Sequence, residues 1–485
     1  MDYNGIKALV MGLGLHGGGL QSALFLLKRG AEITVTDLRD EKTLAPSIKE
    51  LDAACEALGR QPVRYVLGKH EIDDFKNADI VIKNPGVKPD SPFLQASKRI
   101  ETDLSLFLTQ SKARLFAVTG TKGKSGTSSA LNWILSKDRK AGKAYLGGNI
   151  TVSPLTFLED LTQADDVVLE LSSFQLGDIK NNVNADGSPL LKPAAAILTP
   201  IMHDHLDRYA SMEEYVDDKK NIYRGQDADC VTVAGDDDWG KSFLSETKAK
   251  KLIRSSKQDV SSALSEGQSG GCIDSSGRGF ARLLSFNGVP EEITELVPQK
   301  ILTPGSHQKI NMLSAALAVF ALGGKADTIR AALSTFPGIE HRLELFHESN
   351  GIRYYNDSAA TIPEAAAVCI EALTAPSMHG GVILVTGGTD KNLDFTPLAR
   401  AAKKAKAIIL LEGTGSEKLI PLLRENGVSY SGPFNDLDKA VHCAREKASG
   451  ADIIALSPGC ASFGMFLNEF DRGRKWKEAV VRITK

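Results

Sequence analysis

The sequence predicts an α/β protein of three linked domains, each built on a mainly parallel sheet covered by helices. Three observations carry this. Short apolar runs such as "KALVMGLG", "ITVTD", "LFAVTG", "VVLELSS", "GVILVTGG" and "DIIALSPG" alternate with amphipathic helical stretches along the chain. Most of these runs end in Gly, Ser, Asp or Pro, so polar and turn residues collect at the carboxyl ends of strands, where open α/β sheets bind ligands. At 485 residues the chain exceeds a single core, and roughly 150 residues per domain gives about three.

The first domain, 1–109, closes before the basic, helix-breaking "QSKAR"; the second spans 110–336; the third, 337–485, opens at "PGIEHR". Two segments poor in apolar residues, 178–192 and 254–279, read as surface loops or hairpins. A net charge of −2 leaves no electrostatic footprint for nucleic acid, so an anionic ligand must be held locally. Six scattered cysteines with no Cys-x-x-Cys pair read as reduced thiols. The amino terminus lacks the basic flank and apolar core of a signal peptide, and no apolar run reaches membrane-span length. A cytoplasmic protein without membrane insertion is expected.

In the first domain, "GLGLHG" (12–17) follows a strand, opens a helix and precedes Asp37 at the end of the next strand. This is the dinucleotide fingerprint of a Rossmann-like domain. Alone it suggests a nicotinamide dehydrogenase with Asp37 on a ribose hydroxyl, yet the turn suits any pyrophosphate-bearing ligand, and Arg39 suits phosphate.

The second domain opens with "AVTGTKGKSGTSSA" (117–130). Only two residues separate Gly120 from Gly123, against four between the first glycine and the Gly-Lys pair of the usual phosphate loop. The physics needs only a strand that delivers backbone N–H groups and a helix N-terminus to phosphate. Lys124 adds a point charge and Ser125 a hydroxyl for Mg²⁺.

"VVLELSSFQL" then puts Glu170 at the end of a buried strand, where a carboxylate is costly unless paired or bound to metal. It could cap a helix; with Ser125 it makes a hard-oxygen Mg²⁺ set. "IMHDHLDRY" crowds histidines and aspartates into 203–207, and no third soft ligand lies close enough for zinc, so His205 is read beside Mg²⁺ or phosphate. "EEYVDDKKNIY" reads as a solvated helix face, and its charges do not distinguish Lys219 from Lys220.

In the third domain "EHRLE", "YYNDSAAT", "TGGTDKNLDF" and "LSPGCASFGMF" put Arg342, Asp357, Lys391 and Ser462 at strand ends of one sheet, where they could share a cleft.

Taken in order, "GLGLHG…TDLR", "GTKGKS", "ELSSFQL", "DHLDRY", "HRLE", "NDSAAT", "GGTDKNLDF" and "SPGCASF" resemble the Mur ligase family over nearly the whole chain, most closely its glutamate-adding members. The resemblance implies a UDP-sugar-binding Rossmann-like first domain, a central P-loop ATPase-type domain and a Rossmann-like amino-acid-binding third domain, with hinges near 109 and 336. It implies an ATP-dependent, ADP-forming ligase that adds D-glutamate to UDP-N-acetylmuramoyl-L-alanine through an acyl phosphate, as a monomer in the cytoplasmic stage of peptidoglycan synthesis.

By the same resemblance Lys124, His205 and Lys219 are catalytic, Lys219 as a carbamylated lysine. ATP would be held by Gly120, Thr121, Lys122, Gly123, Lys124, Ser125, Gly126, Asn311, Arg342 and Asp357, and Mg²⁺ by Ser125, Glu170, His205 and Lys219. Leu15, His16, Asp37, Arg39, Asn84 and Gly86 would take the uridine diphosphate, Asn149, Ser172 and Gln175 the muramoyl-alanine, and Thr361, Lys391, Ser462 and Phe463 the glutamate.

Three positions depart from the family pattern: Ala359 where a lysine is often found, Gln308 in place of Asn, and Gly126 in place of Thr, the last offset by Thr127. The alternatives are the same chemistry on L-glutamate or another acceptor, folate polyglutamylation, the dehydrogenase, and a silent binding protein.

Overall fold

The computed structural model describes the chain except residues 1, 16, 138–141, 151, 206–207, 265–266, 285, 287–290, 304 and 376–377. Its contacts divide it into two units, Met1–Gln299 with Lys309–Leu333, and Lys300–Gln308 with Ser334–Lys485. Among the described residues, three sheets carry the architecture.

The first unit holds two of them. β1 (Lys7–Met11), β2 (Glu32–Asp37), β3 (Arg64–Leu67), β4 (Ile80–Lys83) and β5 (Ile100–Glu101) form a parallel sheet of order β3-β2-β1-β4-β5. β6 (Arg114–Thr119), β7 (Ala144–Gly148), β8 (Asp166–Glu170), β9 (Ala195–Leu198), β10 (Val231–Gly235), β11 (Lys250–Ser255), β12 (Gly270–Ile273), β13 (Gly279–Arg282) and β14 (Thr294–Val297) form the second. Its order is β14-β13-β12-β11-β10-β9-β6-β8-β7, parallel from β7 to β12 and antiparallel beyond.

The central strands read as unbroken apolar runs because helices cover both faces, and Val118, Val168 and Ile197 are fully buried. The two sheets share one core: Phe107, on the helix Asp103–Leu108 that ends the first, meets Phe157 edge-on at 6.0 Å. The segment 254–279, expected as a surface loop or hairpin, forms a hairpin in which β12 turns antiparallel into β13, and β12 also joins the central sheet beside β11. Ala263 and Leu264 pack with the fully buried Cys272. In 178–192 the expected hairpin is a tight turn closed by a bridge between Val183 and Pro189.

The second unit holds β15 (Glu344–Ser349), β16 (Ile352–Asn356), β17 (Val382–Gly387), β18 (Ala407–Leu411), β19 (Tyr430–Phe434) and β20 (Ile453–Leu456), ordered β15-β16-β20-β17-β18-β19. Only β15 runs antiparallel. This order sets the carboxyl ends of β16, β20 and β17 side by side, and each feeds one of the loops singled out in the sequence. Among the described residues no helix is long and apolar enough to cross a membrane.

Candidate active site

At the end of β1 the chain turns through Gly12 and Gly14 into the helix Gly18–Lys28. Asp37 is buried, and its two oxygens accept hydrogen bonds from Gly14 N (3.2 Å) and Arg39 N (2.9 Å). The carboxylate thus shapes the glycine turn and fixes the backbone that presents the exposed Leu15 and Arg39. The loop after β4 lies against this turn: Gly12, Gly18 and Asn84 line one small cavity, and Asn84 Oδ1 accepts from Gly86 N at 3.0 Å. His16 lies outside the described residues.

The second glycine turn follows β6. Gly120 sits at φ 141°, and a Cβ there would fall 2.0 Å from Thr199 Oγ1, so strand-to-helix reversal at this point demands glycine. Thr121 is anchored by Pro200 O to its N–H (2.9 Å) and by Tyr215 OH to its Oγ1 (2.9 Å). The turn opens the helix Lys124–Lys137, which contains Ser125 and Gly126. Lys124 Nζ donates back to the carbonyls of Gly120 (3.1 Å) and Thr121 (3.0 Å). Lys122 is exposed, and Asn311 faces Gly123, its Oδ1 2.6 Å from where a Cβ would stand. Thr127 was expected to offset Gly126, but its hydroxyl is fully buried and has no hydrogen-bond partner in the structure.

Glu170 ends β8, beside β6 on one side and β7 on the other. It is 2% exposed, and its oxygens accept from Asn149 Nδ2 (3.2 Å) and Ser128 Oγ (3.4 Å). No cationic side chain lies within ion-pair distance among the described residues. Glu170 does not cap the next helix, Ser173–Asp178; Ser172 and Gln175 do so reciprocally, Ser172 Oγ accepting from Gln175 N (3.2 Å) and Gln175 Oε1 from Ser172 N (3.0 Å). His205 stands at φ 56° with its ring 4.8 Å from Phe174 and 6.2 Å from Tyr215.

The helix of "EEYVDDKKNIY", expected as a solvated face, is instead buried along one side. Lys219 is 1% exposed, while Lys220 points outward to Glu246 at 2.7 Å. Tyr215, Val216, Ile222 and Tyr223 recur at helical spacing and carry Lys219 to the buried side of the helix Met212–Arg224, a signal present in the sequence. Lys219 Nζ donates to Gly120 O at 2.9 Å and lies 4.5 Å from the Tyr215 ring centroid. Burial, reinforced by the charge of Lys124, pulls its amine down to about 7.

In the second unit Asp357 follows β16, where its oxygens accept from Leu343 N (3.1 Å) and Ser457 Oγ (2.6 Å). Burial pushes its carboxyl up to about 6. It fixes the turn that carries the exposed Arg342. Gly459 N donates to Ala360 O at 2.9 Å, joining the loop of Thr361 to that of Ser462.

Lys391 Nζ lies 5.6 Å from the Phe463 ring centroid, and Thr389 pairs with Ala461 in an isolated bridge. Of the four loops expected to share a cleft, the structure therefore joins that of Asp357 both to the turn of Arg342 and to the loop of Ser462, and that of Lys391 to the loop of Ser462. The residue that seats two of these loops was not marked in the sequence: buried Arg472 donates to Ser358 O (2.8 Å), Ser358 Oγ (3.0 Å) and Cys460 O (3.0 Å).

A cavity of about 750 Å³ adjoins Phe463. Its wall bears Glu412, Asp436, Asp438 and Glu478, and its cations Lys475 and Arg482 are already paired with Asp471 and Asp438.

The chain matches the Mur ligase MurD-like N-terminal domain over 6–104, the Mur ligase middle domain over 118–319 and the Mur ligase glutamate ligase domain over 341–460. It is 38% identical to the UDP-N-acetylmuramoylalanine--D-glutamate ligase of Treponema pallidum, covering 98% of this chain and 97% of that protein.

Its fold is similar to the UDP-N-acetylmuramate-alanine ligase of Thermotoga maritima (TM-score 0.58, 20% identity, 99% and 100% of the two chains). A MurF ligase from the same organism, solved in complex with ADP, is similar at TM-score 0.52 and 15% identity over 99% and 95%. With all three family domains matched in chain order and a relative aligned nearly end to end, the chain belongs to the Mur ligase family.

Proposed function

We propose that the protein is an ATP-dependent ligase that adds D-glutamate to UDP-N-acetylmuramoyl-L-alanine. The observation that carries the reading is the meeting of Lys124 and Lys219 on the Gly120 turn, with Glu170 tied to the helix of that turn through Ser128. The full-length relative named for this reaction supports the choice of substrates. Hydride transfer has no use for such a second phosphate loop.

The alanine carboxylate takes the γ-phosphoryl group of ATP, giving an acyl phosphate and ADP. The neutral amine of glutamate attacks the acyl carbon, the bond from carbon to the phosphate oxygen breaks, and amide, phosphate and a proton are released. No protein nucleophile is required, so the residues act by positioning and charge neutralisation. Backbone N–H groups of 122–125 and the helix end hold the phosphates, and Lys124 follows the transferring group.

Ser125, Glu170 and His205 offer hard or borderline donors, and a buried carboxylate with no cationic partner among the described residues fits a divalent ion. Mg²⁺ held there would neutralise charge on the phosphoryl oxygens. Lys219, half neutral near pH 7, has the free lone pair that CO₂ requires, and its carbamate would add a carboxylate-like ligand.

Lys391, with Thr361, Ser462 and Phe463, takes the anionic amino acid. Asn84, Gly86, Leu15 and Arg39 take the uridine diphosphate, and Asn149 the muramoyl-alanine. The reading carries with it a cytoplasmic, monomeric enzyme.

The test is phosphate release with ATP, Mg²⁺ and UDP-N-acetylmuramoyl-L-alanine, comparing D-Glu, L-Glu, Lys and diaminopimelate. Turnover confined to D-Glu is expected. Preference for another acceptor would move the amino-acid assignment, and no turnover with any would end the ligase reading.

A further inference from the structure

Arg208 stands in the same loop as His205 but reaches into the first sheet. Its Nη1 donates to Pro85 O (3.0 Å) and Gly86 O (3.1 Å), and its Nη2 to Val87 O (3.1 Å). Three successive carbonyls of the loop after β4 thus converge on one planar guanidinium, a fork that lysine cannot reproduce. Asn84 opens that loop and closes it from the other side, accepting from Gly86 N.

The face of the guanidinium and the backbone of Arg208 are fixed as well. Its guanidinium carbon lies 3.8 Å from the Phe174 ring centroid, and the same ring packs on His205 at 4.8 Å. Arg208 N and Tyr209 N both donate to His205 O, at 3.0 and 3.1 Å. Tyr209 OH donates to Asp218 Oδ2 at 3.0 Å, and Asp218 immediately precedes Lys219 on its helix. A second strut runs parallel: Lys83, just before Asn84, pairs with Asp178 at 2.6 Å, each side chain 4% exposed.

We infer that Arg208 is a positioning residue that couples the uridine diphosphate loop at Asn84–Val87 to the turn bearing His205. The inference rests on the ligase reading above. Occupation of the nucleotide end of the substrate steadies the three carbonyls, and Arg208 passes that restraint to the His205 turn and, through Tyr209 and Asp218, to the helix of Lys219. Binding energy from a remote part of the substrate is thereby used at the reacting centre, and it should appear in kcat as well as KM. Coupling of this kind is worth about 5- to 150-fold.

The test compares two substrates, UDP-N-acetylmuramoyl-L-alanine and its 1-phospho analogue lacking uridine, in the full-length wild type, Arg208→Lys and Arg208→Ala. In the wild type, loss of uridine should lower kcat about tenfold or more. In both variants kcat with the full substrate should fall toward that with the truncated one, so that the ratio between substrates approaches one while KM for ATP stays within about twofold.

Melting temperatures identify any variant that fails to fold, and Arg208→Lys, which keeps the charge and the stem, serves where Arg208→Ala does not. A kcat that falls by the same factor for both substrates would make Arg208 merely structural and overturn the inference, as would a wild-type kcat indifferent to uridine. If the wild type turned over neither substrate, the ligase reading would fall and take the inference with it.

Discussion

Lys219 Nζ lies 2.9 Å from the carbonyl oxygen of Gly120, whereas its sequence neighbour Lys220 reaches Glu246 at the surface. Lys219→Ala should lower kcat by at least about a hundredfold, with partial rescue by formate or acetate, while Lys220→Ala stays within about twofold. Phosphate-release kinetics with and without added carboxylates check both; absence of rescue would remove the carbamate role.

The unmodified Lys219 also leaves a signature in stability. Its amine is depressed to about 7 against an ordinary 10.5, so between these values the unfolded chain binds more protons than the folded one. Stability from this group is complete above 10.5 and is lost as pH falls through 7. Relative to wild type in CO₂-free buffer, Lys219→Met should gain melting temperature as pH drops from 9 to 6. A pH-independent difference would contradict the buried, depressed amine.

Glu170 gives a second handle. Glu170→Gln keeps the side-chain shape and the bond from Ser128 but removes the charge that faces no cation among the described residues. Turnover should fall at least about a hundredfold, and the half-saturating Mg²⁺ concentration should rise. A Mg²⁺ titration of phosphate release that is unchanged would exclude Glu170 from the metal set.

Asp357 tests the second unit. Burial raises its carboxyl to about 6 against an ordinary 3.8, so folding takes up a proton between these values. The stabilising contribution is complete below 3.8 and lost as pH rises through 6. The neutral Asp357→Asn should therefore gain melting temperature relative to wild type as pH is raised from 4 to 7. A flat difference would show the carboxylate to be well solvated or better paired than its bonds from Leu343 and Ser457 imply.

Lys391 is exposed beside Phe463, and Lys391→Ala should raise KM for glutamate about tenfold or more while KM for ATP stays within about twofold. Initial rates with each substrate varied separately decide it, and a selective ATP defect would show the amino-acid pocket to lie elsewhere.

The sequence by itself determined what depends on near neighbours in the chain. The turn from β6 into the helix at Lys124 needs glycine at 120 for reasons of backbone sterics, so it could be read as a phosphate loop despite its spacing. The strand ending in Glu170 declared itself through an apolar run closed by a carboxylate. Even Lys219 was within reach, because the spacing of Tyr215, Val216, Ile222 and Tyr223 assigns it to the buried face.

Tertiary structure alone decided the long-range partners. Lys83 meets Asp178 across 95 residues, and Arg208 meets the Pro85–Val87 carbonyls across more than a hundred. A backbone carbonyl carries no side-chain signature, so nothing in "NPGV" announces an arginine partner. Strand order likewise brings the loops after β16, β20 and β17 together, and that order is set by how the sheet packs between its helices.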